Sequence, residues 1–419
     1  AGIGSPTTVI ASRAIFGRHV ADLDQLQIKS IAVELSSLSN WTGAPPVRDE
    51  QAEVAAGFDV TIRNPDAICV TLAQQPFDFE TAFRLKVNQT STTFTAEWGA
   101  AVRVIAKQCL AFEQINEHTW QAQNLISLLI GERLSVRAVT IVPADQQPPP
   151  RATPEEIATR AFDLYSTHAP NAATADDEWC EAERELRQHR AMQTQKPLQL
   201  LYHRVGKHDH ADVHPMRMLL PYEMICNIFA SITERWFARS EQAVLATNVF
   251  FGSRDQISPA VNEQFLAVAQ AAESYHRSLG VGRYMDQTAF DTVIENLKTQ
   301  IPPEIQADHR QSLVNRLRYG NEHSLRRRLS SMFERLPENV QLRIASNVKP
   351  FVNRYVDTRN YYTHYDLSAQ TNTFTPHDAF VATERVRVLV VANLLKDLGI
   401  PDVDLLTVLE RNADFHHWM

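Results

Sequence analysis

The feature that most restricts this chain is a change of hydrophobic period part-way along it. Gln27 to Leu35 alternates through Ile28, Ile31, Val33 and Leu35, imperfectly, and Phe58 to Ile62, Ile68 to Leu72, Phe79 to Val87 and Thr92 to Trp98 continue the theme with Thr, Val and Phe. Val102 and Val104 alternate with Arg103 and Ile105. A period of two belongs to strands with one buried face, and turn residues such as Asn64-Pro65 separate the runs, so an antiparallel sheet or sandwich is expected. From Pro221 onward the apolar residues recur at helical spacing instead. The two periods lie in separate blocks. The expectation is therefore an α+β chain: a β-rich N-terminal domain followed by an all-α helical bundle.

Within the β block, Phe112 to Ile130 changes period. Ile115, Trp120, Leu125, Leu128 and Leu129 are helically spaced and Gly131 is a stop, which gives the N-terminal domain one packed helix. Leu134 to Val142 and Leu198 to His203 read as further strands. Between them, 143–197 reads as an acidic helical insertion. It opens on Gln146-Gln147-Pro148-Pro149-Pro150, starts a helix at Thr153-Pro154-Glu155-Glu156 and carries Asp176-Asp177-Glu178. A solvated helix pair is the expectation for such a charged run. The domains are placed at 1–205 and 216–419, with a polar connector between them. His208, His210 and His214 with Asp209 and Asp212 stand in that connector. Their spacing matches no metal motif, so a hydrated loop is expected and no metal is assigned.

In the second block, Tyr222 to Arg239 reads as one helix through Met224, Ile228, Ile232 and Phe237. Ser258-Pro259 starts the next, running to Gly280. Shorter ones are expected over Ala289 to Leu297 and Pro303 to Leu317. Asn321 is read as the cap of a helix holding Leu325, Leu329, Phe333 and Leu336. Lys349-Pro350 opens another, and Thr375-Pro376-His377-Asp378 has the cap, proline and acid of an N-terminus, with Gly399 as its stop.

The chain has 419 residues and a net charge of -8, which argues against a generic nucleic-acid coat but allows a local basic site. Its four cysteines, Cys69, Cys109, Cys180 and Cys226, are scattered with no Cys-x-x-Cys, as fits a reducing cytosol. No apolar run reaches the roughly 20 residues of a membrane span. A cytoplasmic location is expected. The chain opens Ala-Gly-Ile-Gly-Ser-Pro without a Met, so a trimmed N-terminus is expected. No phosphate-binding glycine loop occurs, and no nucleotide or other cofactor is assigned.

The stretch Arg359-Asn360-Tyr361-Tyr362-Thr363-His364 stands out among mostly apolar helices. A permanent cation and an imidazole with an ordinary pKa near neutrality are what phosphodiester chemistry needs. RNA supplies its own nucleophile, the ribose 2′-hydroxyl. It lacks a base, an acid and positive charge for the developing phosphorane. His364 fits base or acid, Arg359 the charge, and Asn360 a supporting contact. Five helical positions turn through about 500°, leaving Arg359 and His364 roughly 140° apart. They do not share a face, so the spacing favours a composite site across a twofold axis. Residues 301–360 carry eleven Arg or Lys against six Asp or Glu. Arg326, Arg327 and Arg328 are therefore read as RNA contacts or solvated helix positions, and Tyr361, Tyr362 and Tyr365 as base-stacking groups or core.

The stretch Thr358 to Asp366, in a helical C-terminal region and preceded by Ser324-Leu325-Arg326-Arg327-Arg328-Leu329, resembles the HEPN ribonuclease superfamily, and more narrowly the ApeA-type HEPN domain of prokaryotic anti-phage systems. Ile31 to Gly43 and the Phe112 to Gly131 helix are similar to the β-rich N-terminal domain of ApeA-like proteins; the family's first strands are not evident before Ile10. The resemblance implies a dimeric, metal-independent endoribonuclease used in abortive infection, with Arg359 and His364 catalytic and Asn360 supportive. It also implies a sensing or regulatory role for the first domain, RNA such as tRNA as partner, a homodimer or higher homo-oligomer through the HEPN domain, and a phage-derived trigger. The rival readings are a HEPN module that binds RNA, a nucleotide or a partner without cutting, and a structural role centred on the N-terminal domain. A DNase would need the clustered carboxylates that hold metal, and none is evident.

Overall fold

The structure, a computed structural model, describes residues 13–16, 26–43, 47–50, 60–63, 65–89, 94–145, 153–167, 198–202, 212–255, 260–365 and 371–419, with parts of 179–186. The chain divides into two compact units. One comprises Ala1–Ser36, Pro46–Ala122 and Val136–His208, the other Ser37–Pro45, Gln123–Ser135 and Asp209–Met419.

The first unit is built on a seven-stranded antiparallel sheet in the order β1-β9-β8-β2-β7-β6-β5, from β1 (Arg13–Phe16), β2 (Gln27–Leu35), β5 (Ile68–Val70), β6 (Phe77–Gln89), β7 (Phe94–Ala111), β8 (Val136–Pro143) and β9 (Leu198–Tyr202). β3 (Val47–Glu50) and β4 (Val60–Arg63) pair separately. The imperfect alternation in β2 has a cause. Its register against β7 shifts between Ile28 and Ser30, so the buried positions change parity from Ile28 to Ile31, Val33 and Leu35. The two short runs expected around Thr92 and Val104 are one long strand, β7. Helix α2 (Phe112–Ile130) has the expected bounds, and its His118 ring lies 4.4 Å from Phe77. In the inserted segment, α3 (Pro154–Thr167) opens with a reciprocal cap: Thr153 N donates to Glu156 Oε2 at 2.7 Å and Glu156 N to Thr153 Oγ1 at 3.3 Å. Ile157 and Leu164 bury themselves with Ala182, and Arg160 pairs with Glu185 at 2.7 Å. The insertion thus has a small apolar core of its own.

The second unit is helical. Its short α1 (Leu38–Thr42) seats Trp41, fully buried, whose indole donates to Leu220 O at 2.7 Å between the rings of Tyr222 and Phe229. The expected stop Gly131 has φ +86°, and a Cβ there would lie 2.8 Å from Leu219 and Asn412, so only glycine fits. The single helix expected over 222–239 is two, α4 (Tyr222–Ile225) and α5 (Phe229–Phe237). Then follow α6 (Glu241–Asp255), which the sequence reading did not anticipate, α7 (Val261–Ser278), α8 (Gln287–Thr299), α9 (Ala307–Arg318), α10 (Leu325–Glu334), α11 (Glu338–Ile344), α12 (Val348–His364), α13 (Pro376–Asp397), α14 (Asp402–Arg411) and α15 (Ala413–Trp418). The expected Thr375 cap is present and accepts from Asp378 N at 3.2 Å. α13 is buried at nearly every position from Val386 to Leu395 and touches α7, α10, α11, α12, α14 and α15, the pattern of a central helix. No helix is long and apolar enough to cross a membrane, among the described residues. The four cysteines are exposed and unbridged.

Candidate functional site

Helix α12 is fixed along one face and open at its end. Val352, Tyr355 and Val356 are buried at the i, i+3, i+4 spacing that turns one stripe inward. Tyr355 stacks on Phe265 of α7 at 4.3 Å. The chain entering α13 is stitched back onto α12. Thr358 Oγ1 accepts from Phe374 N at 2.9 Å, Arg354 donates twice to Thr373 O at 3.2 and 3.1 Å, and its guanidinium lies 4.6 Å over the Phe374 ring. Asp357 accepts from Asn372 and pairs with Arg326 at 3.0 Å.

Beyond Thr358 the helix leaves the core. Arg359 is partly buried, and Asn360, Thr363 and His364 are exposed. Arg359 Nη1 donates to Asn360 Oδ1 at 3.3 Å, so the amide holds the guanidinium. Among the described residues no carboxylate neutralises Arg359, and His364 has no side-chain partner. Tyr362 packs edge-on against Phe265 at 5.5 Å, where burial pushes its hydroxyl pKa up. Helix α12 stays regular through His364, so Arg359 and His364 keep their roughly 140° separation and one chain does not bring them onto one face. Tyr365 ends the helix, its N–H donating to Tyr361 O at 2.6 Å.

The three consecutive arginines have different fates. Arg326 pairs with Asp357, and Arg327 with Glu334 at 2.7 Å. Arg328 departs from the expectation of an RNA contact: it is 2% exposed and enclosed. Its Nε donates to His323 O at 2.9 Å, Nη1 lies 3.4 Å from His276 Nδ1, and Nη2 is 3.5 Å from Glu322. Burial, then the neighbouring Arg277, lower its pKa. His276 is itself fully buried, and burial followed by the Arg328 charge pushes it down to about 4. The signal was in the sequence. Arg328 lies four residues before Met332 and beside Leu329, on the buried stripe of α10. The cap of that helix is Ser324, accepting from Arg327 N at 3.3 Å, while Asn321 is buried and binds Met285 through both its amide groups.

Of the connector, His208, His210 and Asp209 lie outside the described residues. His214 Nδ1 accepts from Met216 N at 3.3 Å, a local cap, and Asp212 accepts from Ser37 N at 2.6 Å, a structural tie across 175 positions of the chain. No cluster of metal-ligating side chains occurs among the described residues.

A family model for the Apea-like HEPN matches residues 266–404, and one for ApeA N-terminal domain 1 matches residues 1–236. The chain belongs to the ApeA-like HEPN family. Searches of curated proteins and of solved structures gave no match. The N-terminal match starts at residue 1, although the opening strands were not evident in the sequence before Ile10. Arg359, Asn360 and His364 all fall inside the HEPN match. Membership brings with it the family's association with nuclease activity and defence.

Proposed function

We propose that this ApeA-like HEPN protein is a metal-independent endoribonuclease, acting as an abortive-infection effector against phage. The observation that supports this most is the state of the α12 end: a partly buried cation and an exposed imidazole, neither used by a carboxylate among the described residues. Groups left so at the end of a well-anchored helix are available to a substrate.

His364 takes the proton of a ribose 2′-hydroxyl, whose oxygen attacks the adjacent phosphorus. Arg359, held by Asn360, stabilises the charge gathering on the phosphorane oxygens. The P–O5′ bond breaks and the departing oxygen receives a proton, leaving a 2′,3′-cyclic phosphate and a free 5′-hydroxyl. Base and acid cannot both be one imidazole in one step. A second copy, paired through the helical domain, supplies the other His364 and brings its Arg359 across the roughly 140° gap. The N-terminal domain then serves as the regulatory part, relieved by a phage-derived trigger.

The test is cleavage of mixed cellular RNA, tRNA included, in EDTA, with analysis of the fragment ends. Wild type leaves 2′,3′-cyclic phosphates, and Arg359→Ala and His364→Ala each lose at least about 100-fold in rate while staying folded. Cleavage at the wild-type rate by both variants sinks the reading. The separation of Arg359 and His364 on one chain favours a second reading, a HEPN module that grips RNA without cutting. Binding without cleavage, even in infected extract, would select it.

A further inference from the structure

Tyr365 is held in a backbone state that tyrosine disfavours. Its φ of 50° and ψ of 34° lie in the left-handed region, which glycine enters freely and residues with a Cβ enter at a cost. Among the described non-glycine residues only Ser37 also has positive φ. The position is the C-cap of α12, where glycine or asparagine is the usual occupant. A tyrosine there does not serve the helix end. At 59% exposure it does not serve a core either.

What the ring has is a fixed orientation. Its hydroxyl accepts from Asn262 Nδ2 at 3.0 Å. Its edge meets Tyr361 at 5.8 Å, and Tyr361 in turn lies 5.8 Å from Tyr362, which is seated on Phe265. Helix α7 therefore anchors this aromatic group twice, through Phe265 and through Asn262. Backbone strain that persists at an exposed, well-held ring next to His364 points to use rather than to packing.

We infer that Tyr365, Tyr361 and Asn262 form a subsite for one unpaired nucleobase of an RNA strand. It rests on reading the neighbouring motif as an RNA site. An exposed ring face stacks on any base, and single-stranded RNA presents the base faces that a duplex keeps covered. Among the described residues Asn262 makes no other side-chain hydrogen bond, so its carbonyl oxygen and second amide hydrogen remain for a base edge. Because Tyr365 follows His364 directly, the stacked base selects which phosphodiester reaches the imidazole. Asn262 falls between the two stretches matched by the family models, 1–236 and 266–404, so it is a feature of this chain rather than of those models.

The test measures binding of a fluorescent single-stranded RNA of about ten nucleotides, a length that covers one such site. It uses the full chain in a His364→Ala background, with thermal unfolding followed in parallel. Tyr365→Gly weakens binding by about 5-fold or more, while its thermal midpoint is held because glycine suits the left-handed cap. Tyr365→Phe and Asn262→Ala, which keep the ring and lose the tether, fall between Tyr365→Gly and the parent, and duplex RNA binds more weakly than the single strand. Parent-like binding by Tyr365→Gly, no binding by the parent, or a preference for duplex overturns the subsite. Cleavage plays no part in this readout. A chain that binds through Tyr365 and never cuts removes the nuclease reading and leaves the subsite, and a chain that cuts but ignores Tyr365→Gly does the reverse.

Discussion

The helical unit carries two groupings of arginine and histidine that would look alike in a sequence. Around Arg328, an arginine, two imidazoles and a carboxylate close on one another where α7 meets α10, with Arg328 and His276 buried. Around Arg359, an arginine and an imidazole stand at the open end of α12, and among the described residues an amide is the one side chain bound to the guanidinium or the imidazole. The first grouping spends its chemistry on holding two helices together; its His276 imidazole is pushed far below the range useful near neutrality. The second contributes little to the fold, and no carboxylate among the described residues engages its groups, as the proposed RNA site requires. The difference is helical phase. Arg328 falls on the stripe that faces the bundle, and Arg359 and His364 fall past the last buried turn of their helix.

The sharpest way to break this comparison is to truncate one arginine of each kind. Arg328→Ala removes a large side chain from a site that is 2% exposed and strips His276 Nδ1, His323 O and Glu322 of a donor. The expected loss is about 3 kcal/mol, read by denaturant unfolding. Arg359→Ala gives up one hydrogen bond to a neighbouring amide and is expected to stay within about 0.5 kcal/mol. Equal losses would mean that burial does not separate the two groupings.

The next effect is one of pH. His276 has its pKa lowered from an ordinary 6.5 to about 4 by burial and then by Arg328. The folded protein therefore keeps this ring neutral while the unfolded chain takes up a proton as pH falls below 6.5. Its contribution to stability is intact above that value, declines as pH falls toward about 4, and declines no further below. Thermal unfolding followed across that window should show a fall in midpoint that His276→Leu reduces relative to wild type. An identical pH slope in the variant would assign the fall to other groups.

How much of this the sequence disclosed depended on whether the decisive contact was local. The Thr375-Pro376 start and the Phe112 to Gly131 helix were legible because cap, period and stop lie within a few residues of one another. The break between α4 and α5 was not, since Met224, Ile228 and Ile232 keep a helical period straight through it; nothing local records that Trp41, far back in the chain, seats between Tyr222 and Phe229. Asn321 and Ser324 are both good cap residues, and only the tertiary bonds of Asn321 to Met285 show which one caps. The motif itself was readable from residue types. Asn262 was not, because its link to Tyr365 joins residues 103 apart.

The smallest expected effect concerns Arg326, which joins the two groupings. It comes from the same triple as Arg328 but is about half exposed, and it reaches Asp357, one turn before Tyr361. Exposed ion pairs of this kind contribute up to about 1 kcal/mol, so Arg326→Ala and Asp357→Ala should each lower the thermal midpoint slightly and by similar amounts. Their effects on RNA binding separate two uses of the same charge. If Arg326 only steadies the end of α12, the dependence of binding on salt is unchanged in Arg326→Ala. If it also meets a phosphate, the slope of log affinity against log salt falls by about one, and Asp357→Ala, which releases the guanidinium, strengthens binding. The pairing observed here favours the first outcome, which would leave Arg359 as the arginine that meets the substrate.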